Sequence, residues 1–291
     1  MRWAEGRRSD NVEDQRGMPA GGVVVGGGLV TLVLALLVMF LGGDPVAFLN
    51  QVERNAPRQA APGEPREKGP VDPEEEKRVD FVRVVLGDTE DVWTELLPRE
   101  KRVRYVAPKL TLFTQATQSG CGFANAAVGP FYCPADQKVY LDLSFFKELQ
   151  DRFRAPGEFA QAYVIAHEVG HHVQNLLGIS DQVRAEQQRV DKVTANKLSV
   201  RLELQADFLA GVWANHAQKA RHILEEGDIE TALRAATAIG DDKLQKQSQG
   251  YVVPDAFTHG TAAQRVRWFS RGIQTGDLRQ MNTFDLDDSE L

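Results

Sequence analysis

Basic residues are in deficit in this chain: 34 Lys and Arg stand against 41 Asp and Glu, a formal net charge of −7. A polyanion finds no general basic surface here, so no nucleic-acid partner is expected. Cysteine is scarcer still, with two residues in 291. Cys121 and Cys133 sit in "SGCGFANAAVGPFYC", and no second Cys or His pair lies nearby to make a zinc site of them. Their spacing suits a disulfide closing a surface loop, worth up to about 3 kcal/mol by chain entropy. Two reduced, unrelated thiols are the alternative. The chain also lacks any internal repeat, and its hydrophobic content of 42% is ordinary for a globular protein.

Charge is missing altogether between Ala20 and Leu41, where Val23–Leu41 reads VVVGGGLVTLVLALLVMFL. At about 1.5 Å per residue this run spans roughly 28 Å, close to the hydrocarbon thickness of a bilayer. Its glycines weaken a helix in water, but lipid offers the backbone no other partner. A cleaved signal peptide would need a shorter apolar region, a more basic leader and an A-x-A-like site, which "GGDPVAFLN" lacks. The sequence therefore predicts one N-terminal transmembrane helix at 20–43, after a leader at 1–19. Arg2, Arg7, Arg8 and Arg16 precede the run, while Arg54 and Arg58 follow it. That bias puts the leader in the cytoplasm and the C-terminal part on the periplasmic or extracellular side, where a disulfide persists.

Residues 44–78 read as a linker, with Pro45, Pro57, Pro62, Pro65, Pro70 and Pro73 among charges. From Val79 the pattern turns globular: "VDFVRVVLGDTEDVWTELL" has a helical period that Pro98 closes. "KLTLFTQATQS" and "KVYLDLSFF" alternate as strands do, on either side of the Cys loop. A helix from Glu158 to about Leu177 follows, ended by Gly178. Ser180 or Asp181 can cap the next, which runs without Pro or Gly to Ala210 and beyond. Short helical stretches come at Ile223 and Ile229–Ile239, then the loop "QGYVVPDAFTHG" and a last helix at Thr261–Gly272. Residues 79–291 are thus expected as one α+β domain, mainly helical, with a small β portion.

Three of the six histidines fall in "IAHEVGHHVQ", residues 165 to 174. His167 and His171 lie four apart, on one helix face and within reach of one ion. Glu168, next to the first, can reach a water on that ion without binding the ion itself, which is the HExxH arrangement of zinc hydrolases. The approach from Ala160 to Ala166 is almost entirely apolar, so imidazoles there need partners. Gly170 within the helix points to a second segment passing close by. A catalytic zinc needs a third protein ligand. The HExxHxxGxxH extension is excluded, because Gln174 and Leu177 occupy its Gly and third His positions. "RLELQADFLAGVWA" supplies another: Glu203 completes a His, His, Glu set, and Asp207 one turn on can accept the free ring N–H of His167. Ala206 and Ala210 are small enough to let the two helices meet closely. An exposed acidic face is the plain alternative for "ELQAD", but Leu202, Leu204, Phe208, Leu209 and Val212 surround the pair.

HEVGH followed by "ELQAD" resembles the gluzincin peptidases. The wider chain resembles the bacterial neutral zinc metallopeptidases, through "GRRSDNVEDQRG", the apolar span, "SGCG…GPFYCP", "VYLDLSFF", "HEVGHHVQ", "ELQAD" and "FTHGTAAQR". The resemblance implies a gluzincin-like domain holding one Zn2+ ion and hydrolysing peptide bonds of a peptide or protein substrate. Glu168 is then the general base. "FTHGTAAQR" resembles a short His-containing segment of some membrane gluzincins, which makes His259 a second catalytic candidate; a plain loop histidine at a helix start is the alternative. "VYLDLSFF" reads as core, or else as the edge strand along which substrate aligns. His172, one position off the ligand face, is expected as a bystander, and His216 and His222 have no role. Arg265 and Tyr251 are open as substrate contacts. A zinc-stabilised, inactive scaffold is the competing function, and it would have no use for Glu168.

Overall fold

Pro73 opens the first helix of the described residues at a position where its missing N–H costs nothing, and Glu74, Glu75 and Glu76 set negative charge against the positive end of the helix dipole. Helix α1 (Pro73–Lys101) therefore takes residues 73–78 out of the expected linker. Pro98 does not close it. A proline in the last turn removes only one helical hydrogen bond, and Arg102 N still donates to Pro98 O at 3.1 Å.

The computed structural model describes residues 1–17, 72–125 and 128–291. The expected membrane span at 20–43 and the linker to residue 71 lie outside the described residues. Among the described residues, no helix is long and apolar enough to cross a membrane. Residues 1–17 and 73–291 fold together as one compact unit, so the expected leader does not stand apart from the domain. Its strand β1 (Val12–Asp14) pairs parallel with β2 (Lys109–Phe113), with Val12 opposite Leu110.

Two more strands, β3 (Ala116–Ser119) and β4 (Gly122–Asn125), form a separate antiparallel hairpin. The main sheet continues through β5 (Phe131–Cys133) and β6 (Lys138–Asp142) in the order β1-β2-β6-β5. β6 is an inner strand, paired parallel to β2 and antiparallel to β5, so the core reading of "VYLDLSFF" holds and β5 is the edge. The "SFF" end of that stretch is helical: Asp142 accepts from Ser144 N at 2.9 Å and starts α2 (Ser144–Asp151).

Helix α3 (Glu158–Leu176) is buried along most of its length and packs on α1 and on the helices that follow. Gly178, with φ 74°, turns the chain into α4 (Ile179–Gln187), and Ser180 and Asp181 lie inside that helix rather than capping it. The long helix expected next is broken. Asp191 accepts from Val193 N and Thr194 N and starts α5 (Lys192–Arg221) afresh. Ile223 is buried but lies in a non-helical, mostly exposed link, followed by α6 (Asp228–Ala238) and by α7 (Asp241–Gln249), which the sequence pattern does not announce. Helix α8 (Ala262–Thr275) begins with a capping box between Thr261 and Gln264. The architecture is mainly helical with a small sheet, as expected, and one apolar core runs through α1, α3, α5, α8 and the sheet.

Candidate metal centre and substrate cleft

Helices α3 and α5 meet where neither carries bulk. A methyl group added at Gly170 would come within 3.0 Å of Ala206 O and 3.3 Å of Ala206 Cα. The contacts pair 167 with 207, 170 with 206 and 174 with 202, so the two helices run antiparallel at this crossing. The close second segment is there, and the small residue at 206 is what admits it.

This approach brings His167, His171 and Glu203 together, each offering a ligand atom within 4.8 Å of the others. His167 Nε2 lies 3.1 Å from Glu203 Oε2, and His171 Nε2 lies 3.3 Å from Glu203 Oε1. Ligands about 2.0–2.2 Å from a tetrahedral ion stand roughly 3.3–3.5 Å from one another, so the donor set and its spacing fit zinc. Among the described residues no other such group of His, Cys, Asp and Glu occurs. Burial disfavours a charge on His167, yet Asp207 and Glu203 outweigh it and bring its pKa to about 10. Burial likewise opposes ionisation of Glu203, but the imidazoles of His171 and His167 hold it well below the usual carboxylate range.

Each histidine is held from behind. His167 Nδ1 donates to Asp207 Oδ1 at 2.9 Å, leaving Nε2 for the ion, as expected of Asp207. Asp207 is fully buried and also takes Arg265 Nε at 2.8 Å, Arg265 Nη2 at 2.9 Å and Tyr163 OH at 2.5 Å. Burial alone would raise the Asp207 pKa; the Arg265 guanidinium and His167 overcome it and bring it down to about 2. Arg265 is thus committed to this network, though it also borders the cleft. His171 Nδ1 is 2.9 Å from Gln174 Oε1, and Gln174 Nε2 donates to Leu202 O at 2.7 Å and Gln205 Oε1 at 3.1 Å. Gln174 therefore does for His171 what Asp207 does for His167. Its place one turn after His171 was a legible signal that the motif reading passed over; Tyr163, one turn before His167, was another.

Glu168 is buried, and burial raises its carboxyl pKa against the lowering pull of His167 and His171. It opens with the three candidate ligands onto a cleft of about 590 Å³ that Phe131, Tyr132 and Phe145 also line. His259 borders the same cleft. Asp241 Oδ2 accepts from the backbone N–H groups of Thr258, His259 and Gly260, and Asp241 Oδ1 lies 3.2 Å from His259 Nδ1. That hydrogen bond, against partial burial, raises the His259 pKa. Asp241 was not singled out in the sequence, because only folding brings it to a loop 17 to 19 residues away.

His172 is no ligand, but neither is it idle. It is buried, donates through Nε2 to Val106 O at 2.6 Å and accepts from Tyr132 OH at 3.0 Å, tying α3 to the β5 wall. His216 meets Gly276 O, and His222 is the left-handed C-cap of α5. Tyr251 is exposed and does not border the cleft. Cys121 and Cys133 are joined as a disulfide, which anchors β5 at its C-terminal end.

With the geometry in place, the chain can be set beside known proteins. The family described as "Putative neutral zinc metallopeptidase" matches residues 1–284. The uncharacterized protein YpfJ of Escherichia coli strain K12 is 46% identical, over 98% of this chain and 99% of its own length. The uncharacterized protein Mb2605 of Mycobacterium bovis is 40% identical, over 86% of each chain. No solved structure matches the chain.

Proposed function

The chain belongs to the neutral zinc metallopeptidase family, and from that premise and the His167–His171–Glu203 cluster we propose that it is a zinc-dependent endopeptidase. One observation carries the reading: the candidate ligands and the buried Glu168 open onto a single cleft of about 590 Å³. His167, His171 and Glu203 would hold the ion. When bound, zinc supplies Lewis acidity, which acidifies water toward neutral pH and polarises a carbonyl. Glu168 takes the proton from the attacking water and returns it to the leaving amine. His259, positioned by Asp241, donates toward the carbonyl oxygen as it gains charge. Substrate backbone adds to the edge strand β5, whose residues also line the cleft.

The zinc unit works on the exported side of a membrane, a reading supported by the Cys121–Cys133 disulfide, which an oxidising compartment preserves. Membrane attachment rests on the apolar run at 20–43. The full chain tests the peptidase claim: purified in detergent with one zinc bound, it should cleave an unstructured protein. Glu168→Gln should keep the zinc and lose about 10²–10⁴ of the rate. No cleavage by either with zinc bound would make the protein a zinc-stabilised scaffold instead, and equal rates in both would sink the peptidase claim, since the cleavage would not depend on Glu168.

A further inference from the structure

The first 17 residues carry more structure than a membrane leader needs. The Met1 ammonium lies 3.0 Å from Glu225 and 3.3 Å from Asp228, and Arg2 N donates to Ile223 O at 2.8 Å. Trp3 meets Phe81 edge to face. Ser9 is buried and donates to the equally buried Glu90 at 2.5 Å, with Asn11 Nδ2 on the same oxygen at 2.8 Å and Arg7 on the other at 2.7 Å. Arg16 bridges Glu75 and Glu76 in the first turn of α1.

Helix α1 is shaped to receive this segment. A methyl group at Gly87 would come within 2.5 Å of Arg7 O and 3.3 Å of Ser9 N. Glycine inside a helix is otherwise unfavourable, and here it admits a passing backbone. β1 then fills the edge of the main sheet beside β2, with Glu13 taking Lys138 Nζ at 2.7 Å and Thr111 Oγ1 at 3.3 Å.

A single crossing of a bilayer between residues 17 and 73 would put these partners on opposite faces, and none of the contacts would form. We propose that residues 1–17 occupy the same compartment as residues 73–291, on one face of the membrane. Orientation by arginine count, with the leader in the cytoplasm and the zinc unit outside, is the arrangement this replaces. The leader's arginines do not oppose the change as bare charges, because Arg7, Arg8 and Arg16 are each paired with carboxylates. The buried Glu90 gives the leader a reason to stay: without Ser9, Asn11 and Arg7 it would be a desolvated carboxylate with those partners gone.

The test uses the full chain in its native membrane fraction, with zinc content as the check of folding. Cysteines are placed singly at two exposed positions, Asp10→Cys and Arg189→Cys, and a membrane-impermeant maleimide is applied to closed spheroplasts. Both should react without lysis. Reaction of both only after lysis supports the shared compartment and overturns the exported location proposed above. Reaction of one from outside and the other only after lysis overturns the inference. As a second measurement, Glu13→Cys with Thr111→Cys should form a cross-link on oxidation, since these residues are register partners on the same sheet face. A zinc-retaining membrane protein in which that pair never cross-links would likewise overturn it.

Discussion

On one side of the cleft, His167, His171 and Glu203 stand on two buried helices, and each histidine has a second polar contact that sets its ring. Elsewhere in the lining, the β5 wall is a three-residue edge strand preceded by an exposed Val128, and it is held by its pairing with β6, by a disulfide and by Tyr132 OH on His172. The helical wall is dry and its polar groups answer one another; the strand wall is thin and fastened at few points. The difference matches what each must do. Metal ligands need fixed geometry within fractions of an ångström, whereas a wall that receives varied peptide backbone needs an open row of N–H and C=O groups and some room to adjust.

The sharpest way to break the comparison is to open the dry wall at its centre. Asp207→Ala leaves the Arg265 guanidinium, 2% exposed, without its carboxylate. Removing one partner of a buried ion pair costs about 3–5 kcal/mol, which for a domain of this size lowers the melting temperature of the metal-free protein by roughly 10 °C. Replacing both partners, Asp207→Leu with Arg265→Met, should recover much of that loss while zinc binding stays weakened. The effect has a defined pH window. The folded pKa of Asp207, about 2, lies below its ordinary value of 3.8, so its contribution is present above about pH 4 and fades as pH falls toward 2. Calorimetry of wild type and Asp207→Ala across that range should show the gap narrowing. A gap that stays small at neutral pH would mean that the network is not what joins α3, α5 and α8.

The strand wall should respond differently. Cys121→Ser with Cys133→Ser opens a loop of about a dozen residues, worth up to about 3 kcal/mol. The candidate ligands are held by Asp207, by Gln174 and by one another, so denaturant titration should show the loss while zinc stoichiometry stays at one. Loss of zinc in that variant would show that the two walls are mechanically coupled through His172.

How much of this was legible in the sequence follows the same division. His167, His171, Glu203 and Asp207 were readable because each relation is local: four residues along a helix put two groups on one face, and apolar neighbours show which face is buried. The partner helix needed only one assumption, that Glu203 returns to the motif. The strand wall had no such periodicity. β5 has three residues and β1 three, too short to alternate visibly, and which strand became the edge depended on pairing across the chain. The same holds for Asp241, whose clamp on residues 258–260 exists only once α7 packs against that loop. Helix ends misled where local chemistry outweighed pattern: Pro98 is tolerated in a last turn, and Asp191 starts a new helix in a stretch free of proline and glycine. The leader's arginines read in the sequence as a topology signal, and only the fold shows that Arg7, Arg8 and Arg16 are also ion-pair partners.

The smallest effect tests whether the dry wall is tuned or merely filled. Gln174→Ala removes the acceptor behind His171 but keeps the ligand itself and every contact of His167. A lost orienting contact typically weakens metal binding 10–100-fold, about 1.4–2.7 kcal/mol. Competition with a zinc-selective chelator should therefore place Gln174→Ala between wild type and His171→Ala. Gln174→Glu restores an acceptor to His171 Nδ1 but gives up the donation to Leu202 O, so it should recover part of the affinity at some cost in stability. If Gln174→Ala binds zinc as tightly as wild type, the His171 ring is held by packing alone. The two histidines would then differ in kind, His167 set by charge through Asp207 and His171 set by shape.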